Sequence, residues 1–82
     1  MCVMQALYGN RSMVREKMGK FDGALEDGDQ AVEIDPTWSK GYFRRGKALH
    51  GSKRYAEAYK AFEKASSLEP NNKDLKKEVR AN

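Results

Sequence analysis

Two short blocks, Ile34-Asp35-Pro36 and Leu68-Glu69-Pro70, end in prolines 34 residues apart. Counting back from each proline by equal steps gives matched residues: Ala31 with Ala65, Ala24 with Ala58, Phe21 with Tyr55, Arg11 with Arg45, and Tyr8 with Tyr42. Small Ser12 falls opposite small Gly46. A period of this length is that of a supersecondary unit which cannot bury its apolar face alone and must stack on its neighbours.

Each unit reads as two helices. In the second, Tyr55, Ala58, Tyr59, Phe62, Ala65 and Leu68 recur at three- and four-residue intervals and form one helical stripe. The segment from Trp38 to His50 carries Tyr42, Arg45, Gly46 and Leu49 on one face, and Gly46 is placed where two helices touch. The polar break from Gly51 to Arg54 folds the pair into an antiparallel hairpin. The first unit repeats the scheme, with a helix from about Val3 to Met18, a Gly19-Lys20 turn and a helix from about Asp22 to Ile34. Thr37 and Asn71, each following a proline, are expected to be helix N-caps. Gly23 and Gly28, with Gly28 in the register of Phe62, are expected to leave the second helix loosely packed. A last segment, Asn72 to Arg80, has only Leu75 and Val79 as an apolar stripe and suits a solvating cap.

Composition narrows the function classes. Sixteen Lys and Arg are interspersed with twelve Asp and Glu, giving a net charge of +4. That points to an acidic partner more than to nucleic acid, for which the basic cap (Lys73, Lys76, Lys77, Arg80) makes only a weak case. No apolar run is long enough for a membrane span, and nothing resembles a secretory signal. A lone Cys2 excludes an internal disulfide and fits an intracellular setting. His50 has no cysteine or acidic cluster at metal-ligand spacing, so neither metal nor cofactor is expected. Glu26, Asp27 and Asp29 read as a solvated outer face. No nucleophile, base and orienting group occur together, so no enzymatic role is expected.

The period, the small–aromatic–small pattern and the closing prolines, from Tyr8 to Pro36 and from Tyr42 to Pro70, resemble the tetratricopeptide repeat (TPR) family. The resemblance implies an all-α fold, a right-handed superhelical stack of antiparallel helix hairpins. Its expected division is repeat one over 3–36, repeat two over 37–70 and a C-terminal capping helix over 71–82. In such stacks the first helix of each hairpin lines a concave groove. Asn10, Met13 and Lys17 would then face Lys40, Phe43, Arg44 and Lys47, of which Lys40, Arg44 and Lys47 form one cationic stripe.

Two segments, Tyr8-Gly9-Asn10-Arg11-Ser12 and Trp38-Ser39-Lys40-Gly41-Tyr42-Phe43-Arg44-Arg45, are similar to those of the carboxylate-clamp co-chaperones within this family. That similarity implies binding of the free C-terminal tail of a cytosolic heat-shock chaperone, ending Glu-Glu-Val-Asp, with Asn10, Lys40 and Arg44 holding carboxylates. Met13, Phe43 and Lys47 would support the groove, and the setting would be cytoplasmic. The family clamp also draws a Lys and an Asn from an earlier repeat, which this sequence does not contain, so weakened binding is expected. A generic TPR scaffold with an incidental basic stripe is the alternative reading. Val3, Met4, Leu7 and Met13 are expected to form an uncovered face on the first hairpin through which copies self-associate.

Overall fold

The computed structural model describes residues 4–69, and these form four helices: α1 (Met4–Lys17), α2 (Phe21–Ile34), α3 (Ser39–Gly51) and α4 (Tyr55–Leu68). The expected capping helix, Asn71 as its cap, and Val3 of the uncovered face lie outside the described residues. α1 packs on α2 and α3 on α4 as two hairpins, α2 packs on α3 to join them, and a smaller contact brings α1 against α3.

The two hairpin turns are built alike. After α1, the Lys20 amide donates to the Arg15 carbonyl (2.8 Å) and the Gly19 amide to that of Glu16 (3.1 Å). After α3, Arg54 donates to Leu49 (2.9 Å) and Lys53 to His50 (3.0 Å). Both are Schellman endings, which need one residue in the left-handed region. Gly19 fills that place at φ 80°, and Lys53, 34 residues on, fills it at φ 64°.

The second helices supply most of the core. Ala24, Asp27, Gly28 and Ala31 are buried on α2; Ala58, Ala61, Phe62 and Ala65, in identical register, are buried on α4. Small residues at the first and last of these positions let the partner helices approach closely. Phe62 is fully buried with Leu49, Ala58 and Ala61, and Leu25 and Phe43 pack against this cluster. A Cβ on Gly46 would stand 2.6 Å from the Phe62 ring, so Gly46 makes room for that ring as its sequence position suggests. The stripe expected on α4 is shifted: Tyr55 is 51% exposed and Tyr59 37%, while Ala61, at the opposite edge, is buried.

Three local expectations are corrected. Thr37 is not the N-cap of α3; Trp38 holds that position in extended conformation without a side-chain cap. The Thr37 amide (3.1 Å) and hydroxyl (2.7 Å) instead donate to Oδ1 of Asp35, which closes the turn between the hairpins. Gly28 does not loosen α2, because a Cβ there would lie 3.0 Å from the Arg45 backbone. Its missing side chain lets α2 and α3 touch. Finally, the acidic trio of α2 is not uniformly solvated. Glu26 and Asp29 are exposed, but Asp27 is 1% exposed.

Candidate functional site: the face shared by α1 and α3

Asp27 explains how the first hairpin holds its geometry. Arg11 donates to it through Nε (3.0 Å to Oδ2) and Nη2 (2.8 Å to Oδ1), and Arg15 Nη1 lies 3.2 Å from Oδ2. A buried carboxylate is tolerated when its lone pairs are met this way. The hydrogen bonds to Asp27, and then its charge, hold the Arg11 guanidinium above its ordinary pKa. Ser12 adds a buried hydrogen bond to the Ala24 carbonyl (2.7 Å). With both arginines committed to α2, the remaining sides of α1 are left to face α3 or solvent.

Gly9 fixes the register between α1 and α3. It is buried, and a Cβ there would lie 2.9 Å from the Trp38 ring at the start of α3. The chain reverses between α1 and α2 and again between α2 and α3, so α1 and α3 run in the same direction. Asn10 follows Gly9 on α1 and is the 34-residue counterpart of Arg44 on α3. Glu16, seven residues after Gly9, stays on the side of α1 that Gly9 turns toward α3.

Asn10 and Lys40 are exposed, whereas Met13, Phe43, Arg44 and Lys47 are half-buried. Phe43 belongs partly to the core: its ring meets Phe62 at 5.7 Å between centroids, tilted by 53°. The Arg44 guanidinium lies 5.5 Å from the centroid of that same Phe43 ring, on its outer side. Arg44 Nε is buried without a hydrogen-bond partner, and no carboxylate lies within ion-pair distance of Arg44 among the described residues. Burial pushes its pKa down from the ordinary arginine value, and the Glu16 carboxylate acts in the opposite sense.

Arg45, next along the chain, contrasts with Arg44. Its Nε pairs with Asp29 Oδ1 at 3.1 Å across the α2–α3 joint. Sequence reasoning assigned no role to Glu16 or to Asp27. For Asp27 a signal was present, since it falls on the Ala24–Gly28–Ala31 stripe, opposite a helix with arginines at i and i+4. His50 is exposed at the end of α3, its ring edge-on to Tyr55 at 5.1 Å. Among the described residues no group of three or more His, Cys, Asp or Glu could hold a metal ion, and no helix is long and apolar enough to cross a membrane.

Family models described as tetratricopeptide repeat match residues 5–37 and 39–72. Small glutamine-rich tetratricopeptide repeat-containing protein 2 of Mycosarcoma maydis is 40% identical over 74 residues, covering 90% of this chain and 21% of that protein. The Hsp70-Hsp90 organizing protein of Triticum aestivum is 41% identical over 70 residues, covering 85% and 12%. Among solved structures, the first TPR domain of the human RPAP3 protein matches with a TM-score of 0.91 at 33% identity, covering 95% of this chain and 61% of that one. The first TPR of Spaghetti (RPAP3), bound to the HSP90 peptide SRMEEVD, matches at 0.88 and 34% identity, covering 94% and 61%. The chain thus spans about a fifth or less of these two relatives and less than two thirds of these two domains. With a repeat model on each hairpin and the same helical stack in its structural neighbours, the chain belongs to the tetratricopeptide repeat family.

Proposed function

We propose that this chain is a docking module for an acidic peptide with a free C-terminus, the tail of a cytosolic heat-shock chaperone, held by a partial carboxylate clamp. Arg44 carries the reading. It is a half-buried guanidinium with one orphaned nitrogen and no protein carboxylate in ion-pair distance. Such a group is costly alone and is relieved by a ligand anion. Lys40, one turn earlier, adds a point charge, and Asn10 on α1 adds an amide donor. Phe43 fixes the guanidinium from below, while Met13 and Lys47 continue the groove. Relatives named as Hsp70-Hsp90 organizing proteins, and a structural neighbour solved with a peptide ending in Glu-Glu-Val-Asp, support the choice of ligand.

With three clamp residues the expected affinity is high micromolar to millimolar, on the order of −4 to −6 kcal/mol. Calorimetric titration with the peptide Ser-Arg-Met-Glu-Glu-Val-Asp, free and C-terminally amidated, tests the reading. Amidation and the double change Lys40→Ala, Arg44→Ala should each abolish measurable binding. Equal binding of the two peptides would leave only a general TPR scaffold.

A second reading, compatible with the first, is that the open face of α1 pairs with a second copy of the chain. It is favoured by an apolar row of Met4, Leu7 and Val14 on that helix, continued by Met18 just past its end, each more than half exposed.

A further inference from the structure

The groove contains a carboxylate of its own. Glu16 is half-buried on the side of α1 that Gly9 turns toward α3, the helix that carries Arg44. Its charge acts on the Arg44 guanidinium, yet the two make no hydrogen bond or ion pair. A gap therefore remains between an anion on α1 and a cation on α3. No cation lies within ion-pair distance of Glu16 among the described residues.

Resting on the proposed peptide-docking reading, we infer that Glu16 is a charge filter of the groove, penalising an acidic ligand residue beside it and favouring an uncharged or cationic one. The cationic stripe of Lys40, Arg44 and Lys47 by itself would reward every added acid along a ligand. Glu16 breaks that monotony at one place. It lies six residues beyond Asn10, about 9 Å along the helix, so it meets a different ligand residue from the carboxylate that Asn10 holds. The same field tempers Arg44, so that the clamp is selective instead of uniformly attractive to anions.

The test uses the peptide Ser-Arg-Met-Glu-Glu-Val-Asp and variants that carry Glu, Gln or Lys in turn at each of the three positions before the final Val-Asp. Each is titrated against wild type, Glu16→Gln and Glu16→Lys. At one position wild type should prefer Lys over Gln over Glu, with about threefold to tenfold between the extremes at low salt. Glu16→Gln should flatten that order, and Glu16→Lys should reverse it. Unchanged melting temperatures in the two variants would separate the effect from a loss of fold. Identical Glu, Gln and Lys ratios in all three proteins would overturn the filter while leaving the docking reading intact. If wild type does not distinguish free from amidated peptide, the docking reading fails and the filter fails with it.

Discussion

A carboxylate withdrawn from water costs several kcal/mol unless donors replace the hydration it loses. Asp27 meets that condition through Arg11 and Arg15; Asp29, two residues on, keeps about half its side chain in water and pairs with Arg45. Burial raises the Asp29 pKa more than Arg45 and Arg54 together lower it. The two acids should therefore respond oppositely to neutralisation. Asp27→Asn removes a charge that two guanidinium groups require and should lower the melting temperature by about 5 °C or more, as followed by circular dichroism. Asp29→Asn should leave stability at pH 7 within about 0.5 kcal/mol of wild type. Asp29 also has a pH signature of its own. A carboxyl that ionises less readily in the folded chain than in the unfolded one makes the folded state bind the extra proton, so its contribution falls as pH rises through that interval. Urea melts from pH 3 to pH 6 should lose that downward component in Asp29→Asn. A sequence shows both residues only as acids on one helix; the difference lies in which of them the α1 arginines can reach.

At the scale of the helix, two glycines of α2 with equal propensity cost have opposite meanings. The Cβ of an alanine at Gly28 would press on the Arg45 backbone, which cannot rotate away. At Gly23 it would meet the end of the Arg15 side chain, with 3.1 Å to Cδ. Gly28→Ala should therefore destabilise by about 1–3 kcal/mol through separation of α2 and α3. Gly23→Ala should be neutral or stabilising by up to about 1 kcal/mol, the helix-propensity gain. Chemical denaturation of both variants checks the contrast, and equal signs would refute the close-approach account. The turn after α3 gives a complementary case. Lys53 accepts a left-handed backbone that Gly19 accepts freely in the first hairpin, so Lys53→Gly should stabilise by about 0.5–1 kcal/mol. The positions of all four helices were legible in the sequence, because proline spacing and paired small residues dictate where hairpins can turn and touch. Gly28 was not, since its role depends on the neighbouring α3 backbone and no pattern within α2 records that distance. The same holds for the groove. The resemblance to the carboxylate-clamp segments singled out Asn10, Lys40 and Arg44, but Glu16 gains its meaning from the Gly9–Trp38 contact between helices far apart in sequence.

Over the whole molecule, the joint between hairpins shows what the open face of α1 can and cannot accept. On α3, the face covered by α2 carries Gly41, which meets Val32 and Ala31, then Arg45 against Gly28, then buried Ala48. The equivalent places on α1, 34 residues earlier, are Leu7, Arg11 and Val14, and an open hollow of about 440 Å³ is lined there by Met4, Leu7, Tyr8 and Arg11. Leu7 and Val14 stand where α3 has only Gly and Ala, so an α4 helix from a second copy cannot settle on α1 as closely as α2 settles on α3. Head-to-tail growth into filaments is thereby disfavoured. Two α1 faces meeting about a two-fold axis avoid the conflict, because apolar side chains then interdigitate instead of colliding with a backbone. Such a pairing predicts a closed dimer and no higher species in sedimentation velocity as concentration is raised through the high micromolar range. Leu7→Glu with Met18→Glu should return the chain to a monomer without lowering affinity for the acidic peptide, since neither residue lies on the α3-facing side of α1. A monomer at every concentration would exclude the pairing, and a ladder of oligomers would show that the bulky face is no barrier to head-to-tail stacking.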